Sequence, residues 1–343
     1  MLVTRPDDIA WLTGFRGSAG TALVSGSGRT ILLVDGRYEQ RAVAETAVAR
    51  QPVETVRAAG WPAVRDEVVR LVGGAAVAVD PTTVTAAVME ELEGLLRVRR
   101  APTTLTEPRR RKDADELALI ERCASIADSA LAEVVAEGLA GRTEREIRLM
   151  LDHAMLSAGA DDLSFPTIVA SGPNGAVPHH EPGDRTVADG DAVVIDCGAS
   201  LRGYRSDMTR TVLVGRPSAG VRRMWEIVRE AQAAGVAAVR PGVPGSEVDG
   251  AVREVFRRHG VEDEYLHGTG HGVGLVIHEF PILSPSCTAV LQEGEVVTVE
   301  PGLYRVGAGG VRIEDLVVVT ESGCRILTKT PKELSCPPSA PTT

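Results

Sequence analysis

Val193-Val-Ile-Asp196-Cys-Gly-Ala-Ser-Leu-Arg-Gly-Tyr-Arg-Ser-Asp207 carries two aspartates eleven residues apart, with β-branched runs to either side and Gly203 in the turn region. The pattern predicts a hairpin whose strands each present one carboxylate. Val299-Glu300-Pro-Gly302 and Gly310-Val-Arg-Ile-Glu314-Asp315 repeat the device, with Gly307, Gly309 and Gly310 between the two glutamates. A carboxylate inside a Val/Ile strand is costly to bury unless a cation or hydrogen bonds compensate it. Together with an imidazole from His267-Gly-Thr-Gly-His271, the four acids are enough to hold two divalent metals.

The hairpins recur because the chain carries a faint internal duplication. A long helical pattern, Ala114–Glu137, is followed by Gly141-Arg-Thr-Glu-Arg-Glu146-Ile, which opens a second helix to Ser157, and then by the Asp196/Asp207 hairpin. The second unit runs from a helix over Ser218–Val239 through Gly242-Val-Pro-Gly-Ser-Glu247-Val, opening a helix to His259, to the Glu300/Glu314 hairpin. Asp196 and Glu300 are 104 apart, and Glu146 and Glu247 are 101 apart. Self-similarity at a fixed offset is an organisational signal. Two helix–helix–hairpin units facing each other bring the carboxylates to a shared centre. Their helices cover one face of a curved antiparallel sheet, an α+β layout.

Residues 1–100 read as a small α/β unit. Thr21–Val24 and Thr30–Val34 are strands separated by Ser25-Gly-Ser-Gly28, and Ala75–Val79 is a third, stopped by Pro81. Tyr38–Ala49, Pro62–Val72 and Thr82–Leu96 have helical patterns. Pro102-Thr-Thr-Leu-Thr-Glu-Pro108-Arg-Arg-Arg-Lys112 combines two prolines with a charge run and marks the boundary. The proline-rich end, from Pro337 onward, reads as a frayed tail.

Composition bounds the function classes. The 343 residues suffice for two domains, and 43% hydrophobic with 24% charged residues is ordinary for a soluble globular chain. A formal net charge of −10 argues against non-specific nucleic-acid binding. No apolar run reaches the ~18 residues of a membrane span, and Arg5, Asp7 and Asp8 interrupt any signal-peptide layout at the start. The cysteines, at 123, 197, 287, 324 and 336, are odd in number and unpaired in spacing, which favours reduced thiols and a cytoplasmic location.

Ligand softness narrows the ion. Four carboxylates and one imidazole suit Mn²⁺, Fe²⁺ or Co²⁺ better than a structural zinc. Five side chains are too few for two separate sites, so some carboxylates bridge. Bridging sets two metals ~3.5–4 Å apart, and metal binding lowers the pKa of a water to about 7. His267 and His271 are four apart, but the glycines between them argue against a helical zinc motif. His278 follows in Val276-Ile-His278-Glu-Phe-Pro281, and His179 and His180 precede the first hairpin, as candidates for orienting substrate or moving a proton. Cys197 falls on the strand face opposite Asp196 and reads as core. No nucleophile elbow, P-loop or dinucleotide fingerprint is present.

Over about 113–332 these motifs resemble the pita-bread metallopeptidase superfamily, which includes methionine aminopeptidase, aminopeptidase P and prolidase. The resemblance implies that Asp196 chelates one metal, Asp207 and Glu314 bridge, and His271 and Glu300 bind the other. It also implies two divalent ions, manganese first, with cobalt, iron or zinc as alternatives. His179, His267, His278 and Arg312 match substrate-binding positions of the proline-specific branch, and Glu300, His278 and His179 match catalytic ones. Arg5-Pro-Asp-Asp-Ile-Ala-Trp-Leu-Thr-Gly-Phe-Arg-Gly-Ser-Ala-Gly20 and Val34-Asp-Gly-Arg-Tyr38 look like a creatinase-type N-terminal domain. The implied domains are 1–108 for that module, 109–332 for the catalytic pita-bread domain and 333–343 for a flexible tail. In one departure, such modules usually carry a helix and a further stretch before the first strand, whereas Met1-Leu-Val-Thr4 opens within it.

The expected activity is release of the N-terminal residue from short peptides with proline second, by a cytoplasmic homodimer without nucleic-acid or membrane partners. The alternatives are a prolidase restricted to dipeptides and, more distantly, a metal-free creatinase-like hydrolase or a non-catalytic binding module. The N-terminal module is expected to limit substrate length. Arg37 and Tyr38 either face the cleft mouth or serve a strand-end ion pair with Asp35.

Overall fold

The computed structural model describes residues 1–47, 49, 51–102 and 105–337. The chain divides into two compact units, residues 1–109 and the remainder from Arg110.

In the first unit the order is β1 (Leu2–Val3), α1 (Pro6–Thr13), β2 (Thr21–Val24), β3 (Thr30–Val34), α2 (Glu39–Thr46), β4 (Val53–Arg57), α3 (Gly60–Val72), β5 (Ala76–Val79), α4 (Ala86–Leu95), β6 (Arg97–Arg100) and α5 (Thr106–Arg110). The strands form one mixed sheet in the order β4-β3-β2-β1-β5-β6. Leu32, Leu33, Val68, Val79 and Leu92 are fully buried against it. Helix α1 escaped the sequence reading, although its signals are present. Pro6 opens it, Asp7 and Asp8 occupy its first turn, and Gly14 ends it at φ 76°. Helix α4 starts later than expected because Asp80 holds Thr82 in a turn through Oδ1 at 2.9 Å. Thr85 then caps the helix by accepting from the Val88 amide. Arg37 forms an ion pair with Asp35 at 2.7 Å. Thr103 and Thr104, within the expected linker, lie outside the described residues.

The second unit contains α6 (Ala114–Glu137), α7 (Glu144–Ser157), β7 (Asp162–Leu163), β8 (Ile168–Ser171), β9 (Ala192–Cys197), β10 (Ala199–Leu201), β11 (Tyr204–Arg205) and β12 (Met208–Val214). Then come α8 (Ala219–Ala238), α9 (Gly245–Arg258), β13 (Gly270–Gly272), β14 (Glu279–Leu283), β15 (Val296–Val299), β16 (Gly302–Arg305), β17 (Gly309–Arg312), β18 (Asp315–Val319), β19 (Cys324–Ile326) and β20 (Leu334–Cys336). Capping boxes start α6, from Asp113 and Glu116, and α7, from Thr143 and Glu146. Apolar faces of α6 and α7, including Ile126, Leu131, Ile147 and Leu151, pack on Val193, Ile195, Cys197 and Val212. Trp225, Val228, Val252 and Phe256 of α8 and α9 pack on Leu303, Val311 and Ile313.

Both expected hairpins form, each in two tiers. Strands β9 and β12 pair antiparallel, with Asp196 opposite Thr209, and the inner tip pairs β10 with β11. Arg202 and Gly203 close that tip at φ 51° and 85°, the positive values that a two-residue hairpin turn favours. In the second half β15 pairs with β18 and β16 with β17. Only Asp196 lies within a strand. Asp207 immediately precedes β12, Glu314 immediately precedes β18, and Glu300 follows β15. The expectation of one carboxylate within each strand is corrected accordingly: the ladder breaks between tiers, and the break turns these acids away from strict alternation.

The expected tail over 333–343 also needs correction. Leu334–Cys336 is a strand parallel to β12, with Leu213 opposite Ser335. Buried Cys336 accepts from the Leu139 amide through Sγ at 3.3 Å. The apolar side chains of Leu334 and Cys336 join the core cluster beside β12, which outweighs the proline signal that follows. Residues 338–343 lie outside the described residues.

Gly198 marks the break between tiers of the first hairpin. A Cβ there would lie 2.0 Å from the Ser206 carbonyl oxygen, a backbone atom that cannot step aside cheaply. Gly198→Ala is therefore expected to destabilise the protein by about 1–3 kcal/mol or more. Urea unfolding of both proteins checks this, with an unchanged midpoint as the contrary result.

Candidate metal centre

The two hairpins and β13 aim their polar side chains into one cavity of about 840 Å³. Asp196, Asp207, His271, Glu300 and Glu314 all line it, as do His179, His267, His278 and Arg312. Donor atoms of Asp207, His271 and Glu314 lie within 4.8 Å of one another. His271 Nε2 is 3.6 Å from Asp207 Oδ2 and 3.3 Å from Glu300 Oε1. Glycine brings His271 this close. A Cβ on Gly270 would meet the Thr298 carbonyl oxygen at 2.0 Å, so only glycine lets β13 press against β15 here.

Hydrogen bonds fix Glu314, Glu300 and His271. Thr209 Oγ1 donates to Glu314 Oε2 at 2.7 Å. Thr298 Oγ1 accepts from the His271 amide and donates to Glu300 Oε1. His271 Nδ1–H donates to the Gly272 carbonyl at 3.1 Å, which leaves the Nε2 lone pair directed toward the acids. The two halves are tied beneath the cavity. The Glu314 amide donates to the Thr209 carbonyl at 3.0 Å, and Thr211 Oγ1 donates to the Arg312 carbonyl at 2.8 Å.

The electrostatics call for cations. Burial, reinforced by the neighbouring carboxylates, raises the Asp207 and Glu314 carboxyls well above the ordinary range. Burial also raises Glu300, against the opposing pull of His267 and Arg312. The Arg312 guanidinium compensates Asp196 through Nη2 to Oδ2 at 2.7 Å. Asp196 Oδ1 is buried without a hydrogen-bond partner. An orphaned carboxylate oxygen, crowded acids and a directed imidazole lone pair fit a pair of divalent ions.

The surrounding histidines divide into distinct environments. His267 Nδ1–H donates to the Gly268 carbonyl at 2.7 Å, so its Nε2 accepts from the Tyr304 hydroxyl at 2.8 Å. Tyr304 in turn accepts from Arg312 Nη1 at 3.1 Å. Arg312, expected among the substrate contacts, thus spends its guanidinium on Asp196, Tyr304 and Thr209. The His278 ring stands edge-on to His271 at 4.4 Å, and its side chain is exposed. Burial lowers the pKa of His267, His271 and His278, which favours their neutral forms.

Two residues of this network escaped the sequence reading. Tyr304 lies in β16 only four residues after Glu300, and that closeness in sequence was the available signal. Glu144 is fully buried at the start of α7. It accepts from the Ser171 amide and hydroxyl, Asn174 Nδ2, His180 Nε2–H and the Gly183 amide. Burial alone would raise its carboxyl, but these bonds outweigh burial and hold it below the ordinary value. Glu144 thereby anchors the loop that carries His179. Glu146, the marker of the duplicated spacing, serves the capping box.

Asp207→Asn removes a charge while keeping the shape, so metal occupancy is expected to fall with little loss of fold. Elemental analysis of the purified variant decides this, and full occupancy would contradict the assignment. Because the crowded acids repel one another without cations, added Mn²⁺ is expected to raise the melting temperature of the metal-free protein. The gain is about 2.7 kcal/mol at a hundredfold excess over Kd, and differential scanning calorimetry reads it.

Comparison with known proteins agrees with this chemistry. Residues 118–321 match metallopeptidase family M24, and residues 1–110 match the creatinase/prolidase N-terminal domain. A Xaa-Pro dipeptidase of Pyrococcus horikoshii is 33% identical over 338 residues, covering 97% of this chain and 93% of the relative. The solved Xaa-Pro dipeptidase from Bacillus anthracis superimposes with a TM-score of 0.91 at 35% identity, over 97% of this chain and 94% of that one. The X-Pro aminopeptidase from Thermotoga maritima gives 0.88 at 32%, over 98% and 97%. The chain belongs to metallopeptidase family M24, with a creatinase/prolidase N-terminal domain ahead of its peptidase domain.

Proposed function

We propose that this peptidase is a two-metal exopeptidase that hydrolyses Xaa-Pro bonds and releases the N-terminal residue from peptides with proline second. The observation that carries this reading is the convergence of Asp196, Asp207, His271, Glu300 and Glu314 on one cavity. In it, Asp196 would hold one ion, His271 and Glu300 would hold the other, and Asp207 and Glu314 would serve both. Bound there, two divalent ions supply Lewis acidity and a water acidic enough to act at neutral pH.

The chain's own groups complete the chemistry. Glu300, held by Thr298, accepts a proton and passes it toward the leaving nitrogen. His278 and His179, both exposed on the cavity wall, donate to the oxygen of the scissile carbonyl as charge develops. The imide before proline lacks an N–H, so the site need offer it no amide acceptor. His267 and Arg312, joined through Tyr304, hold the floor beside Asp196 in place and so shape the wall against which the substrate lies. Manganese is the proposed ion, and a cytoplasmic homodimer the proposed form.

A second reading, a prolidase restricted to dipeptides, has equal support. Relatives of comparable similarity carry both dipeptidase and aminopeptidase names.

Exhaustive chelation is expected to abolish hydrolysis, with Mn²⁺ or Co²⁺ restoring it better than Mg²⁺, because an imidazole ligand favours a transition ion. Release of free Xaa from Xaa-Pro and Xaa-Pro-Yaa peptides in parallel separates the two substrate readings. Full activity of the metal-free protein would overturn both. His278→Ala is expected to cost about 10²–10³ in kcat while both metals remain bound. Loss of a metal from that variant would make His278 a ligand instead.

A further inference from the structure

Between His267 and His271 the only side chain is that of Thr269, because Gly268 and Gly270 flank it. Space requires both glycines. A Cβ on Gly268 would meet the Leu283 carbonyl oxygen at 2.9 Å, and one on Gly270 the Thr298 carbonyl oxygen at 2.0 Å. A segment so rich in glycine has little side-chain packing of its own to hold its backbone. Its shape is set from outside, and Thr269 is the handle.

That handle is gripped from α9. Asp249, only 1% exposed, accepts through Oδ1 from Thr269 Oγ1 at 3.0 Å and from the Thr269 amide at 3.1 Å. The hydroxyl proton is thereby committed, and Thr269 Oγ1 accepts in turn from the Tyr265 hydroxyl at 2.9 Å. One turn along the helix, Arg253 Nε donates to Asp249 Oδ2 at 2.7 Å, and Arg253 Nη2 donates to the His267 carbonyl at 2.9 Å. The same guanidinium lies 4.7 Å over the Tyr265 ring, which stands edge-on to His267. The Asp249–Arg253 pair therefore holds the segment at His267 and at Thr269. From there the grip reaches the candidate ligands. The Thr269 carbonyl accepts from the Glu300 amide at 2.8 Å, and Thr298 Oγ1 links the His271 amide to Glu300 Oε1. His271 Nε2 and Glu300 Oε1 end 3.3 Å apart. Asp196 is held separately, in β9 and by Arg312.

We propose that Asp249 is a positioning residue that sets His271 and Glu300 at the spacing of one ion. This role rests on the two-metal reading above and divides it. Loosening the grip from α9 weakens the ion beside His271 and Glu300 and spares the one beside Asp196. Asp249 and Arg253 stand behind the segment, outside the cavity lining. The Arg253 side chain is 21% exposed, so it can turn to water when Asp249 is replaced, which limits the cost to the fold of leaving a charge unpaired.

The test titrates Mn²⁺ into metal-free wild type, Asp249→Ala, Asp249→Asn and Arg253→Met, and locates the ions by anomalous diffraction at a manganese concentration that just saturates the wild type. In Asp249→Ala the ion beside His271 and Glu300 is expected to bind about ten- to a hundredfold more weakly, the usual effect of removing a group that orients a ligand. Its peak fades while the peak beside Asp196 stays. Asp249→Asn keeps an acceptor for Thr269 and is expected to keep part of the affinity. Equal loss at both positions, or no loss at either, overturns the proposal. If Asp249→Ala fails to fold, Arg253→Met, which loosens the pair from its exposed side, carries the same expectation. Amide hydrogen exchange on the metal-free proteins reads the grip without any ion. The amides of Thr269, His271 and Glu300 are expected to exchange faster in the variants, and those of β12 at the wild-type rate. Faster exchange there in a protein that binds no manganese upholds the grip while the two-metal reading fails. Unchanged exchange overturns the grip, whatever the metal content.

Discussion

Like charges brought together out of water are the constraint to which the second unit answers. Asp207 and Glu314 are buried, and Asp196 and Glu300 face the same cavity. At such separations, and with reduced screening, carboxylates repel by several kcal/mol. They stay together only because rigid backbone holds them and cations are expected to join them. Each carboxylate beside a strand end is fixed by the ladder it adjoins, so the cost of assembling the site is met by the packing of the strands rather than by the site itself.

The clamp beneath the site is Arg210. It is almost wholly buried, pairs with Asp315 at 2.8 Å and donates to the Thr330 carbonyl through Nε and Nη2. It also donates to the Glu314 carbonyl. Asp315 accepts in addition from Gln232 and Thr328. Arg210 precedes the midpoint of β12 and Asp315 opens β18, so this pair joins the two hairpins just below their ligands. Such a buried pair gives little net stability against an apolar substitute, but removal of one partner costs about 3–5 kcal/mol. Its effect is orientation: it fixes one hairpin against the other, and with it the spacing of Asp207 and Glu314. On the opposite wall Glu144 does similar work for the His179 loop.

Much of this was legible in the sequence because duplication writes the same pattern twice. The helices over 114–137 and 144–157 and the two carboxylate hairpins follow from periodicity, caps and turn glycines. What could not be read was fixed by contacts distant in sequence. Glu144 looks like any acid in a first helical turn until the loop of Ser171 and His180 folds over it. Tyr304 gains meaning only beside His267 and Arg312. Strand β20 hides behind prolines because its pairing partner lies about 120 residues earlier, at Val212–Val214. The tiers of each hairpin were likewise invisible, since a ladder break depends on which backbones collide, as at Gly198.

Crystals grown with Mn²⁺, with diffraction recorded at the manganese absorption edge, test the two-metal centre most directly. Two anomalous peaks are expected, ~3.5–4 Å apart, within coordinating distance of Asp196, Asp207, His271, Glu300 and Glu314. A single peak, or ions bound away from these residues, would contradict it.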